Sequence, residues 1–209
     1  MFTGIISHLG KIESITQIKD WEISISIIED GRSILASSFH SLILGASVAC
    51  SGICLTLKKI ENNFLFFDVS HETASKTNFL TWKIGSLINI EKSLKVGDEI
   101  GGHFVYGHVD TTAIVNSIHE IKGSYKIDFS MNGDFSKFIA QKGSVTIDGV
   151  SLTVNETKQN IFNVNIIPFT WSHTCFKSYE KGSIVNIEID VLARYLEKLQ
   201  KISTDNQLI

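Results

Sequence analysis

Ser47-Val48-Ala49-Cys50-Ser51-Gly52-Ile53-Cys54-Leu55-Thr56-Leu57 returns later in the same chain as Ser144-Val145-Thr146-Ile147-Asp148-Gly149-Val150-Ser151-Leu152-Thr153-Val154. Ser47 to Ser144 is a shift of 97. It runs without a gap through Thr73/Thr170, Ser75/Ser172, Thr77/Thr174 and Phe79/Phe176 to Asn89-Ile90-Glu91, matched by Asn186-Ile187-Glu188. A period this long exceeds the roughly 20–50 residues of solenoid repeats, so each copy is domain-sized. The chain reads as two similar units in tandem, residues 1–94 and 95–190, followed by a distinct segment, 191–209.

Within each unit the apolar period is two. Ile23-Ser24-Ile25-Ser26-Ile27 alternates, as do the residues flanking Ser51-Gly52 and Asp148-Gly149, which are hairpin-turn pairs. Phe64 to Val69 and Ile161 to Ile167 are matched buried strands. About six close-spaced strands per copy suit a small closed barrel that leaves no exposed edge. The expected fold is all-β: two six-stranded antiparallel Greek-key barrels in tandem. Short helical turns are expected at Gly31 to Phe39 and Asp134 to Gln141, before each signature strand.

The last segment has no twin, because Val191 onward corresponds to Leu94-Lys95-Val96-Gly97, which leads into the second unit. Leu192, Tyr195, Leu196, Leu199 and Ile202 share one face at helical spacing, opposite Arg194, Glu197, Lys198 and Lys201. This C-terminal amphipathic α-helix buries its stripe either on its own barrel or against other copies of the chain.

Bulk properties exclude several classes. Of 209 residues, 43% are apolar and 20% charged, enough for one core per unit. The net charge of −3 offers no footprint for a phosphate backbone, so nucleic acid is not an expected partner. Every apolar run is too short to cross a bilayer, and Met1-Phe2-Thr3-Gly4-Ile5 does not open a leader peptide. Cys50, Cys54 and Cys175 form no disulfide framework, which points to a reducing, cytoplasmic setting. No further Cys or His completes a metal set around Cys50 and Cys54.

Chemistry lies where the copies diverge. Cys54 stands where its twin is Ser151, and a strand puts Cys54 and Thr56 on one face, as it does Ser151 and Thr153. Cys54 is either a nucleophile at a ligand face or a small buried hydrophobe. Gly101-Gly102-His103-Phe104-Val105-Tyr106-Gly107-His108 places two imidazoles beside glycines, a pattern suited to proton transfer near neutral pH or to paired structural histidines. Gly4 aligns with Gly107 and Ile5 with His108, so the histidine pair belongs to one half. His8, His40, His71, His119 and His173 lack such a context and are read as surface or core residues. Asp190 is a helix N-cap or a ligand group, and its twin is Ser93.

Taken together, Met1-Phe2-Thr3-Gly4-Ile5, Gly52-Ile53-Cys54-Leu55-Thr56, Glu72-Thr73, Gly101-Gly102-His103, Gly107-His108, Asp148-Gly149-Val150-Ser151-Leu152-Thr153, Ile167-Pro168 with Thr170, and Asn186-Ile187-Glu188 with Asp190 resemble the alpha-chain type of the riboflavin synthase family. The resemblance runs in order from residue 1 to about 190. It implies a transferase that dismutates two molecules of 6,7-dimethyl-8-ribityllumazine. A four-carbon unit passes from one to the other, giving riboflavin and 5-amino-6-ribitylamino-pyrimidinedione without metal or other cofactor. It also implies a homotrimer assembled through the C-terminal helix, and leaves open whether lumazine synthase is a further partner.

By the same resemblance, Ser47, Cys54, Thr56, Glu72 and Thr73 line the first pocket, with Phe2 near the reacting rings. Lys142, Ser151, Thr153, Thr170 and Asp190, with His103 and His108, serve the second pocket or the junction. Gly4 and Ile5 belong to the binding set, and the catalytic set is His103, His108, Cys54, Ser47 and Phe2. Phe169 departs from the family, whose members usually carry a polar residue there. A non-catalytic lumazine- or flavin-binding relative is the alternative reading, and an adaptor built on twin barrels is a more distant one.

Overall fold

The computed structural model describes residues 1–29, 32–34, 39 and 42–205. The first half contributes β1 (His8–Gln17), β2 (Trp21–Glu29), a short β3 (Arg32–Ile34), β4 (Ser47–Cys50), β5 (Ile53–Glu61), β6 (Phe64–Val69), α1 (His71–Lys76) and β7 (Leu87–Lys92). The second contributes β8 (Thr111–Ile121), β9 (Ser124–Met131), α2 (Gly133–Ser136), β10 (Ser144–Ile147), β11 (Val150–Lys158), β12 (Ile161–Ile166), α3 (Pro168–His173) and β13 (Ile184–Ile189), and α4 (Val191–Asp205) follows. Both halves close into six-stranded antiparallel barrels with the same circular order, β1-β7-β4-β5-β6-β2 and β8-β13-β10-β11-β12-β9. In each, the final strand returns to lie beside the first of a three-strand meander, which is the Greek-key exchange.

Side-chain alternation decides which wall faces inward. Ile53, Leu55 and Leu57 of β5 enter the first core, while Cys54, Thr56 and Lys58 face out. Ser51 and Gly52, like Asp148 and Gly149, all have φ between 43° and 82°, as a two-residue type I′ hairpin turn demands. Asn62 and Asn63, at φ 51° and 65°, turn β5 into β6 in the same way.

Two helical expectations are revised. Residues 32–34, within the turn expected over 31–39, form β3 because their backbone pairs with the edge of β2. The rest of that turn apart from Phe39 lies outside the described residues, as does His40. The turn expected over 134–141 is a single helical turn, Gly133–Ser136, after which the hydrogen bonds tighten to Phe138 N–H onto Phe135 O and Ile139 N–H onto Ser136 O. Helices α1 and α3 follow β6 and β12. Ser70 caps α1 by accepting from Thr73 N–H, and Pro168 opens α3 at a position where its missing N–H costs nothing.

The barrels join through a seam with approximate two-fold symmetry. Asn186 Nδ2 donates to Ser51 O at 2.8 Å and Asn186 Oδ1 accepts from Asn78 N–H at 2.7 Å. Reciprocally, Asn89 Nδ2 donates to Asp148 O at 2.9 Å and Asn89 Oδ1 accepts from Cys175 N–H at 2.8 Å. One seam residue has an ionisable twin: Asp148 stands opposite Ser51. Its carboxylate accepts from Asn186 N–H, Asn78 Nδ2 and Tyr179 Oη, yet burial pushes its pKa up to about 7.

The two signature turns meet in this seam. A Cβ on Gly149 would lie 2.8 Å from Gly52 N, at a φ of +82°. Gly149→Ala therefore adds a steric conflict to left-handed strain, and about 2–4 kcal/mol of lost stability is expected. At ~2–4 °C per kcal/mol for a chain of this size, the melting temperature should fall by roughly 5–15 °C. Gly45→Ala has a similar φ, +87°, but nothing within 4 Å, so calorimetry should show it losing clearly less. Equal losses would deny the turn–turn contact its role.

Candidate functional site

Cross-strand pairing gathers the outward residues. In the first barrel Ser47 pairs with Thr56 and Ala49 with Cys54, so these four side chains share one outer face. In the second, Ser144 pairs with Thr153 and Thr146 with Ser151, giving the twin face. A strap of backbone from the other repeat crosses each face: Cys54 N–H donates to Gly107 O at 3.0 Å and Ser151 N–H donates to Gly4 O at 2.8 Å. The strap residues Phe2 and Val105 pair with each other in an antiparallel bridge.

Buried carboxylates hold the straps. Glu91 accepts from Thr3 N–H, Thr3 Oγ1 and Gly4 N–H, and Glu188 from Tyr106, Gly107 and His108 N–H. Burial raises the pKa of both, opposed by these same hydrogen bonds. Beside the straps lie twin hollows. The one lined by Thr3, Ile5, Glu91 and Lys95 measures about 860 Å³, and the one lined by Tyr106, His108, Glu188 and Arg194 about 230 Å³, because α4 starts at the second.

The two histidines are placed differently. His103 lies on the second face, its Nδ1 2.7 Å from Ser151 Oγ and its Nε2 3.1 Å from Thr146 Oγ1. Hydroxyls donate and accept, so either neutral tautomer is satisfied. A Cβ on Gly102 would sit 2.1 Å from Thr3 O, so only glycine lets the strap bring His103 this close. Burial lowers the pKa of His103, partly offset by the nearby charge of Asp190. His108 is exposed on the strap, with its ring tilted 33° to Tyr106 at 6.0 Å.

The other expected residues divide. Phe2 is fully buried with Ala49 and Val105 and packs beside the half-buried Cys54, so it supports the first face from within. Cys50 and Cys175 are buried and their thiols are pushed above the usual range, leaving Cys54 as the accessible sulfur. Glu72 and Thr73 lie on α1 and Thr170 on α3, at the ends of matching strands. Lys142 takes a φ of +65° and its N–H donates to Val154 O beside Thr153. Asp190 Oδ1 accepts from Leu192 N–H, so it caps α4. Phe169 is exposed and stacks on His173 at 4.1 Å.

Several residues that build the site went unread in sequence. Thr146, Glu91 and Glu188 each stand inside the repeated stretches. Their signal was available: a glutamate at the same place in two apolar strands needs buried donors.

Tandem barrels with paired outward faces define the class, and the lumazine binding domain profile matches residues 3–93 and again 106–190. Riboflavin synthase of Photobacterium phosphoreum is 40% identical over 95% of this chain and 88% of its own length. That of Brucella abortus (strain 2308) is 38% identical, covering 95% and 98%, and that of Bacillus subtilis (strain 168) is 35% identical, covering 99% and 93%. The chain belongs to the riboflavin synthase family. Among solved structures, LumP complexed with riboflavin superposes with a TM-score of 0.81 at 25% identity, covering 90% of this chain and 99% of that one. LumP complexed with 6,7-dimethyl-8-(1'-D-ribityl) lumazine gives 0.78.

The His103 geometry yields a pH test. Its folded pKa lies below the ordinary ~6.5, so the linked stability is complete above that value and is lost as pH falls through the lowered one. Proton NMR of the ring should show it mainly neutral at pH 6.5. Thermal melts between pH 6.5 and 5 should decline less for His103→Gln than for the parent. A ring half-protonated at or above pH 6.5 would contradict the burial.

Proposed function

We propose that this protein is a riboflavin synthase, a transferase acting on two molecules of 6,7-dimethyl-8-ribityllumazine. The observation that carries the reading is the pair of related outer faces, each crossed by the other repeat's strap, in a chain 35–40% identical to riboflavin synthases over nearly its whole length. Two identical molecules must meet in opposite roles, and two nearly identical faces with local differences can assign them. We read residues 1–94 and 95–190 as the two lumazine-binding units and 191–209 as the assembly segment.

The residue types fit the chemistry. The 7-methyl group of the lumazine is acidic because its anion delocalises into the ring, so an imidazole such as that of His108 suffices as base. Cys54, with Ser47 near it on the first face, offers a nucleophile for C7 of the other molecule. His103 holds the Ser151 hydroxyl in place. Thr56, Thr73, Thr153, Thr170, Glu72 and Lys142 supply hydrogen bonds for ribityl hydroxyls, and the backbone of Gly4 and Ile5 edges the second face.

The helix supports assembly as a homotrimer. Its polar side grips its own barrel, Arg194 pairing with Asp110 and Glu197 with Lys137, and its stripe faces out, with Leu192, Leu196 and Leu199 each more than 60% exposed. That disfavours burial of the stripe on its own barrel. Three free thiols favour a cytoplasmic setting. Association with lumazine synthase is a further expectation, read by co-sedimentation.

The purified protein should convert the lumazine to riboflavin with undiminished turnover in chelator. His108→Gln should lower kcat about 10²–10⁴-fold while KM and sedimentation stay near the parent's. Cys54→Ser should be milder than Cys54→Ala. Binding of lumazine without turnover in the parent would instead identify a lumazine- or flavin-binding relative. In a separate test, Leu192→Glu with Leu196→Glu should convert trimers to monomers in sedimentation and abolish most turnover, since charge in such a seam is strongly unfavourable. A fully active monomer would overturn the assembly.

A further inference from the structure

Just past His108 the second strap runs into an ion pair that the first strap lacks. Asp110 stands at the entry to β8, where its N–H donates to Ile187 O at 2.9 Å. Its Oδ2 accepts from Ile189 N–H at 2.9 Å and its Oδ1 from Arg194 Nη2 at 2.5 Å, so the carboxylate joins the end of β13 to the first turns of α4. By the alignment of Gly4 with Gly107 its twin is Ser7, whose N–H donates to Ile90 O in the same way. Arg194 corresponds to Gly97. The carboxylate and its guanidinium therefore belong to one strap, the one that carries His108.

The surroundings set the field at the imidazole. The Asp110 side chain is only 9% exposed, whereas that of Arg194 is 47% exposed, so water screens the cation more than the anion. Burial raises the pKa of Asp110, and Ile189 N–H, Arg194 and His108 each draw it back down. The carboxylate and a protonated His108 ring thus attract each other. The other titratable groups here are Glu188, whose oxygens accept from three strap N–H groups, and Tyr106 and Tyr195, which line the small hollow with His108 and Arg194.

Anchoring alone is a weak reason for a buried carboxylate at this place. Ser7 shows that the backbone bond which joins strap to barrel needs no charge, and a half-exposed ion pair adds little stability while the burial of its carboxylate is unfavourable. Proton transfer supplies a better reason. A neutral base that takes a proton from carbon becomes a cation, and a fixed anion beside it favours that state over the neutral ring.

We propose that Asp110 is a positioning residue for proton removal, stabilising the imidazolium that forms on His108. In that step a C–H bond of the lumazine 7-methyl group breaks, the proton passes to a ring nitrogen of His108, and the electron pair stays delocalised in the substrate anion. The proposal rests on the riboflavin synthase reading and on His108 as its base. Asp110 acts through His108 and not on the substrate. Arg194 fastens the same carboxylate to α4, so the helix that carries the apolar stripe also fixes the charge beside the base.

The test compares the full-length parent with Asp110→Asn, His108→Gln and the double variant. It follows steady-state turnover of 6,7-dimethyl-8-ribityllumazine and, by proton NMR in heavy water, the protein-dependent entry of deuterium at the 7-methyl group. Asparagine keeps the size of the side chain and an acceptor for Ile189 N–H, and removes the charge. Asp110→Asn should lower kcat and the deuterium exchange about three- to tenfold, with KM and sedimentation near the parent's, and Asp110→Glu should recover part of the loss. Added to His108→Gln, Asp110→Asn should lower kcat no further, because groups that act as a unit are not additive. The same loss in both backgrounds, or a loss confined to KM or to sedimentation, makes Asp110 a structural anchor and overturns the proposal. Should Asp110→Asn not fold, Asp110→Ser, which carries the residue of the first strap, is read in the same way. A parent without turnover sinks the functional reading, and a fully active His108→Gln sinks the assignment of the base. An active parent, an impaired His108→Gln and a parent-like Asp110→Asn sink this proposal alone.

Discussion

Everything in this molecule is arranged around the reciprocal grip of Asn89 and Asn186. Each is almost fully buried at the same place in a final barrel strand, and each spends its carboxamide on backbone of the other barrel. A buried amide left unsatisfied is costly, so each barrel completes the other's hydrogen bonding. The grip brings the two signature turns together, Gly52 against Gly149, and places each strap across the opposite face.

On that frame the two faces differ at a few positions. Ala49 and Cys54 of the first face answer to Thr146 and Ser151 of the second. His103 lies on the second face, against Ser151 and Thr146. The imidazole therefore bonds two hydroxyls on one face, while the other keeps a half-buried sulfur packed against Phe2 and Val105.

Much of the architecture was legible because both governing signals are local. Alternation at Ile23 to Ile27 and at Ile53 to Leu57 set inward and outward residues, and Ser51-Gly52 and Asp148-Gly149 marked turns through the backbone they require. The helices after β6 and β12 were passed over although Ser70 and Pro168 signalled them, because each spans six residues and shows no helical period. The short β3 was unreadable, since three residues become a strand only through pairing with β2.

The candidate site divides along the same line. Repetition and alternation in the sequence alone determined that there are two barrels, that Cys54 and Thr56 share a face as Ser151 and Thr153 do, and that the chain ends in an amphipathic helix. Tertiary structure alone decided that the strap of each repeat crosses the face of the other, that His103 meets Ser151 and Thr146 while His108 stays exposed, that Phe2 is buried, and that α4 turns its charged side to its own barrel. The physical reason is reach. Periodicity reports on neighbours a few residues apart, whereas Gly4 O on Ser151 N–H and Asn89 on Cys175 N–H are contacts that only the closed fold can make.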